Sequence, residues 1–260
     1  MYLPTRQRQV ASMVLTCTLH DPHAGLKWLS DQHFAELCGL FQTIIIIASP
    51  FTDKAYLEDL KYKGAQVVRR EDNSIGITYF TAIQQAGEHS SDWVLYCDFD
   101  RVLHWMHYHK QELVALIQEQ KLYDYAVLER TLEGYGEHHQ ALYETEQLPN
   151  KIISIAMGEM LQRDFFFGAA LYSKKSMDIV VEQGGYKDLA HFGAWPVLLW
   201  RKGFSIVYKK CNGLSWETPN QYCEAVKKAG GVEAWRETLS TKEEWARRVG
   251  MAKEFVREIM

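Results

Sequence analysis

Along its first hundred residues the chain alternates short apolar runs with amphipathic stretches. Ala11–Thr18 (ASMVLTCT) reads as a buried strand ending in the polar loop Leu19–Gly25. Leu26, Leu29, Phe34, Leu37 and Leu40 recur at helical spacing. Phe41–Ala48 (FQTIIIIA) is β-branched and closes at Ser49-Pro50, as a central strand does. Asp53 is placed to cap a helix running to Lys63, which Gly64 stops. Ala65–Arg69 predicts a third strand, followed by the polar loop Arg70–Gly76. A helix over Ile77–Ala86 and a strand over Asp92–Cys97 complete the series. Four strands separated by helices imply right-handed crossovers and a mainly parallel sheet, hence an α/β fold flanked by helices.

The rhythm then loosens. The pattern predicts a helix over His107–Gln120, a strand over Tyr125–Glu129, and an irregular segment over Thr131–Arg163 with one short helix, broken by Gly134, Gly136 and Pro149. Phe165–Tyr172 and Phe204–Tyr208 read as strands, Ser176–Gln183 and Phe192–Lys202 as helices. Residues 218–260 read as a charged, helical C-terminal extension of the domain formed by residues 1–217. In it Thr218-Pro219 marks a helix start, and Thr241 with Glu244 forms a capping box. Trp245, Val249, Phe255 and Val256 sit among alternating charges, so the last helix should pack on the domain or on a second subunit, as in a homodimer.

Composition narrows the function. Lys and Arg number 29 against 33 Asp and Glu, a net charge of −4, which disfavours nucleic-acid binding. The five cysteines contain no CxxC pair, so they form neither a zinc site nor a disulfide framework. Three lie in or beside apolar runs and suit a reducing compartment. Met1–Arg8 is polar, without the apolar stretch of a signal peptide, and no run is long enough to span a bilayer. The expected location is cytoplasmic, with no transmembrane segment.

The candidate chemistry lies in Asp98-Phe99-Asp100, at the carboxyl end of the fourth strand. Residues two apart in extended chain share a face, so both carboxylates should emerge above the sheet edge while Phe99 turns into the core. Such a pair suits a hard divalent cation bridging to phosphate oxygens. His104 and His107 follow at i,i+3, without a third ligand at a matching interval, and read as helix-surface or acceptor-facing. His138-His139 is expected in a mobile loop over an acceptor.

On these residues the chain resembles GT-A (Rossmann-like) nucleotide-sugar glycosyltransferases. Ala11–Asp100 is similar to their nucleotide-binding half, with WVLYCDFD as the DxD block. FFFGAALYSKK and DLAHFGAWPVLLWRKGFSIVY are similar to their acceptor-side strand and following elements. Short retaining enzymes of the mannosylglycerate synthase type resemble it most. The resemblance implies transfer of a hexose from a UDP- or GDP-sugar to a small hydroxylated acceptor, with Mn2+ or Mg2+. It implies donor contacts from Thr18, His20, Asp21, Arg69, Asp98, Phe99 and Asp100, and acceptor contacts from Gly168 and Trp195. Asp188 and His191 are the two candidates for a base. Glu217 is the candidate third metal ligand beside Asp98 and Asp100, with water as the alternative. The sequence departs from the family in lacking its Gly-x-x-x-Ala-Arg-Asn stretch after the third strand, where Asn73–Thr78 stands instead. Two alternatives stand beside this reading: a non-catalytic GT-A-like binding module, and a sugar nucleotidyltransferase. The latter is disfavoured because Leu19–Gly25 lacks a basic Gly-rich loop.

Overall fold

The computed structural model describes residues 12–72, 74–166, 168–215 and 223–259. Seven strands form one sheet: β1 (Met13–Leu19), β2 (Thr43–Ala48), β3 (Gln66–Arg69), β4 (Trp93–Cys97), β5 (Tyr125–Arg130), β6 (Ala169–Ser173) and β7 (Ile206–Cys211). Their spatial order is β3-β2-β1-β4-β6-β5-β7. The first four strands are mutually parallel, β6 is antiparallel to β4 and β5, and β7 is parallel to β5. The chain winds outward from β1 to β3 and then returns to place β4 on the other side of β1. That reversal opens a crevice above the carboxyl ends of β1 and β4, where open α/β sheets bind ligands.

Helices α1 (Lys27–Leu40), α2 (Lys54–Tyr62) and α3 (Ile75–Gly87) make the crossovers of the first half. Asp53 accepts from the Tyr56 amide at 2.7 Å, capping α2, and Gly64 ends the turn beyond it at φ +105°. After β4 come α4 (Phe99–Tyr108) and α5 (Lys110–Gln118), then α6 (Leu132–Gly136) and α7 (Gln140–Ala156). The chain continues through α8 (Lys174–Gln183), α9 (His191–Arg201), α10 (Cys223–Ala229), α11 (Val232–Leu239) and α12 (Lys242–Arg257). Thr241 caps α12 by accepting from the Glu244 amide at 3.2 Å.

Two cores sandwich the sheet. One joins Leu15, Ile46 and Leu95 to α1, α2, α4 and α5; the other joins Ile45, Val94 and Tyr172 to α3, α8, α9 and α12. Ile44–Ile47 of β2 are at most 2% exposed, each side chain worth roughly 1.5–3 kcal/mol of burial. Cys17, Cys97 and Cys211 are buried in the first core as small apolar residues. No helix among the described residues is long and apolar enough to cross a membrane.

Three elements differ from the sequence pattern. The helix expected from His107 begins at Phe99, immediately after β4, and a break at His109 divides it from α5. Its inward stripe is Phe99, Val102, Leu103 and Met106. The segment read as irregular holds the 17-residue α7, which runs through Pro149. Its buried face carries Glu146, Asn150 and Ser154 at i, i+4 and i+8, whereas Leu148 and Ile155 face outward. An inverted polarity of this kind defeats a hydropathy pattern. Phe165 and Phe166 precede β6 as extended coil rather than belonging to the strand.

Candidate active site

A cavity of about 610 Å³ lies in the crevice above β1, β2 and β4, within the range of roughly 300–1,000 Å³ typical of ligand pockets. Thr18, His20, Asp21, Asp98 and Asp100 all line it. Ser49 at the end of β2 and Ile75, Thr78 and Tyr79 from the first turns of α3 also line it; Ile75 and Thr78 belong to the stretch that departs from the family pattern, whereas Ser49 and Tyr79 were not singled out in the sequence.

Asp98 stands at the N-cap of α4 and Asp100 in its first turn, so the two carboxylates are set by a strand-to-helix turn rather than by extended chain. Asp98 is held on every side. Its Oδ1 accepts from the Thr18 hydroxyl at 2.6 Å and the Tyr96 hydroxyl at 2.8 Å. Its Oδ2 accepts from the Tyr79 hydroxyl at 3.3 Å and from Arg101 Nε at 3.1 Å. Four donors fill the four lone-pair sites of a carboxylate. Gly168 approaches the same group from β6: its carbonyl accepts from the Asp98 amide at 3.1 Å, and a Cβ there would lie 2.5 Å from Asp98 Oδ2. With φ at +67° as well, the position demands glycine.

Asp100 is less engaged. Its Oδ1 accepts from the Arg101 amide at 2.9 Å, and no described residue donates to Oδ2. Burial pushes its carboxyl up to about 6, against the pull of Arg101. A carboxylate lining a cavity with an open oxygen is suited to a hard cation. Mg²⁺ in particular is held through one or two carboxylates, water and substrate phosphates rather than by an all-protein cage. Among the described residues no three His, Cys, Asp or Glu side chains converge on one metal position. Asp98 has its oxygens engaged by protein donors, whereas Asp100 keeps an oxygen to which no described residue donates. Glu217, the expected third ligand, lies outside the described residues.

The remaining donor-side expectations divide. The His20 ring sits at the cavity with Nδ1 2.8 Å from Ser49 Oγ. Asp21 spends its carboxylate on the amides of Gly25 and Leu26, both at 2.9 Å, shaping the loop that forms the cavity wall. Phe99 is fully buried and packs edge-on to Phe34, so it is removed from the donor-contacting set. Arg69 is exposed at the end of β3, donates to the Pro50 carbonyl, and does not line the cavity.

Across Asp98 and Tyr79 lies a second cavity of about 200 Å³. Gly168 is in its wall, with Leu189 just before α9 and Phe192 in its first turn. Arg101, Arg130, Arg247 and Arg248 line it, and each is paired with a carboxylate: Arg101 with Asp98, Arg130 with Glu146 and Asp164, and Arg247 and Arg248 with Glu244. Arg130 is 1% exposed and anchors the floor. It donates to both oxygens of Asp164 at 2.7 and 2.8 Å and to Glu146 at 2.5 Å, and its guanidinium stacks on the Tyr135 ring at 3.9 Å. Burial would raise the Asp164 carboxyl, but Arg130 overrides it and holds it below the usual range. Arg248 bridges Glu146 at 3.7 Å and Glu244 at 2.7 Å, tying α12 to α7. The C-terminal helix thus supplies part of this cavity.

Neither candidate base reaches either cavity. Asp188 is ion-paired with Arg257 and accepts from the Ala190 amide at 3.1 Å, joining the start of α9 to the end of α12. His191 is 2% exposed, and burial pulls its imidazole down to about 3, so it stays neutral. It packs with Tyr79, Phe192 and Trp195 around a void of about 20 Å³. Trp195, 3% exposed, belongs to that core and lines neither of the two larger cavities. His104 is also buried, not on the helix surface, and burial lowers it to about 4. His107 pairs with His33 at 2.8 Å. His138 and His139 lie in the short connection between α6 and α7 and are buried there: His138 lines the second cavity, and His139 Nδ1 accepts from the Leu142 amide at 3.4 Å to cap α7.

No protein-family model and no curated protein matches the chain. Among solved structures it is similar to glucosyl-3-phosphoglycerate synthase from Mycobacterium tuberculosis in complex with Mn2+, uridine-diphosphate and phosphoglyceric acid. Identity there is 12% and the TM-score 0.48, over 77% of this chain and 68% of that one. The same enzyme with Mg2+ and uridine-diphosphate gives 13% and 0.47, over 77% and 69%. With uridine-diphosphate alone it gives 13% and 0.46, over 93% and 81%.

Proposed function

We propose that the chain is a metal-dependent glycosyltransferase that takes a hexose from a UDP- or GDP-sugar. The observation that carries this is the convergence of Thr18, His20, Asp21, Asp98 and Asp100 on one cavity at the sheet's switch point. The larger cavity takes the nucleotide end of the donor, against the loop shaped by Asp21 and the first turns of α3. Asp100 holds Mn2+ or Mg2+ together with the donor's phosphates. The cation supplies neutralisation of the charge that develops on the departing nucleoside diphosphate. Asp98, fixed by Thr18, Tyr79, Tyr96 and Arg101, stands between the two cavities and positions the sugar at their junction. The smaller cavity takes the acceptor. Its four arginines, each anchored by a carboxylate, line the wall as hydrogen-bond donors and suit an acceptor that presents oxygen atoms beside the reacting hydroxyl.

Calorimetric titration of UDP-glucose and GDP-mannose, each with and without Mn2+ or Mg2+, tests the reading. One donor should bind only with metal, and Asp100→Ala should weaken that binding at least about 100-fold, in line with loss of an oxygen ligand to a hard cation. Metal-independent binding, or binding untouched by Asp100→Ala, would refute the assignment. Absence of binding by either donor would favour the non-catalytic alternative.

A further inference from the structure

Helix α7 turns polar residues inward and leaves apolar ones on its outer face. Leu148 and Ile155 meet solvent two turns apart, with the exposed Lys151 between them on the same face. Gly158, at φ +72°, ends the helix, and the Glu159 amide closes back on the Ser154 carbonyl at 2.9 Å. The chain then doubles back along α7, where Gln162 Nε2 donates to Gln147 Oε1 at 2.8 Å. The turn so formed projects Met160, 99% exposed, and Leu161, 67% exposed. Trp200, exposed at the end of α9, reaches the same turn: a Cβ on Gly158 would lie 3.5 Å from its ring. These apolar side chains share one side of the molecule and line neither cavity of the candidate site.

An exposed apolar patch of this kind marks a docking surface, and its charge selects the partner. Lys151, Arg201 and Lys202 are exposed around it, and none of the three is paired with a carboxylate among the described residues. On the same segments Glu144 accepts from Gln140 at 2.6 Å and Glu159 pairs with Arg163 at 3.3 Å. A second copy of the chain, seated on this surface about a two-fold axis, would bring the three cations against three more. An anionic bilayer instead offers phosphates to the cations and acyl carbon to the Met, Leu and Trp side chains. We propose that this surface docks the protein peripherally on an anionic lipid bilayer, with Met160 and Leu161 entering the headgroup boundary.

Co-sedimentation of the full chain with vesicles of phosphatidylcholine alone, and of equimolar phosphatidylcholine and phosphatidylglycerol, tests it. The mixed vesicles should bind the protein at least about tenfold more tightly than the neutral ones, and added salt should release it. Met160→Ser combined with Leu161→Ser should weaken binding at least about tenfold by removing the inserted apolar surface. Lys151→Gln and Lys202→Gln should each weaken it about fivefold. An unchanged urea midpoint verifies that each variant is folded. The inference is overturned if wild type sediments with neither vesicle or equally with both, or if the serine or glutamine variants bind like wild type. A dimer in analytical ultracentrifugation that the serine variant dissociates would also overturn it, in favour of a second copy as the occupant.

Discussion

The two cavities on either side of Asp98 are built in opposite ways. The larger cavity is assembled from the ends of neighbouring parallel strands and the turns that follow them. Its charged groups, Asp21 and Asp98, are satisfied mostly by backbone amides and hydroxyls a few ångströms away. The smaller cavity draws on β5, α7, α9 and α12, and is held by buried ion pairs such as Arg130 with Asp164 and Arg248 with Glu146. A site of the first kind follows from the sheet. One of the second kind exists only once the last helix has docked, so its integrity depends on the whole chain.

The sharpest test of this contrast is Arg130→Met. It leaves Glu146 and Asp164 buried without their cation, and breaking a buried pair in this way costs about 3–5 kcal/mol. Urea unfolding should show a loss of that order, while UDP titration on the folded fraction should remain near wild type because no strand end of the donor cavity is touched. A smaller effect is expected at the seam. Gly168→Ala forces a side chain into a positive-φ position against Asp98 Oδ2, at about 1–3 kcal/mol. Unlike Arg130→Met it should also weaken donor binding, by displacing a residue shared by both cavities.

The buried His191 behind the smaller cavity predicts a pH dependence. Folded His191 stays neutral down to about pH 3, whereas its ordinary value is 6.5. The unfolded chain therefore binds the extra proton between these values, and stability present above 6.5 is lost as pH falls through that window. At about 1.4 kcal/mol per pH unit, His191 should account for about 2 kcal/mol of the loss between pH 7 and pH 5. In His191→Gln that part of the decline should vanish; an unchanged pH profile would remove His191 as its source. The smallest effect is at the cap of α12. Thr241→Ala should cost about 1 kcal/mol, and it should lower acceptor-side binding more than UDP binding, since only the former uses Arg247 and Arg248.

Legibility in the sequence followed the same division. In the first half, apolar runs alternate with amphipathic stretches because each parallel strand is buried on both faces and each crossover helix on one, so periodicity and burial agree. The residues at those strand ends, Thr18 and Asp98 among them, could be placed before their partners were known. In the second half α7 turns Glu146, Asn150 and Ser154 inward, so its pattern looks irregular until Arg130 and Asp164 are seen opposite it. Asp188, His191 and Trp195 looked chemical because nothing local reveals that Arg257 and a ring of aromatics enclose them.

What the sequence determined by itself was the α/β order of elements and the position of the acidic turn after β4, because hydrophobic periodicity and helix-cap chemistry act over a few residues. What only the tertiary structure decided was the state of each charged group: Asp98 spent on four protein donors, Asp100 left with an open oxygen, His191 sealed in a core. Those states depend on which polar atoms arrive from distant strands and helices, and on how much water they displace, and both are properties of the packed chain.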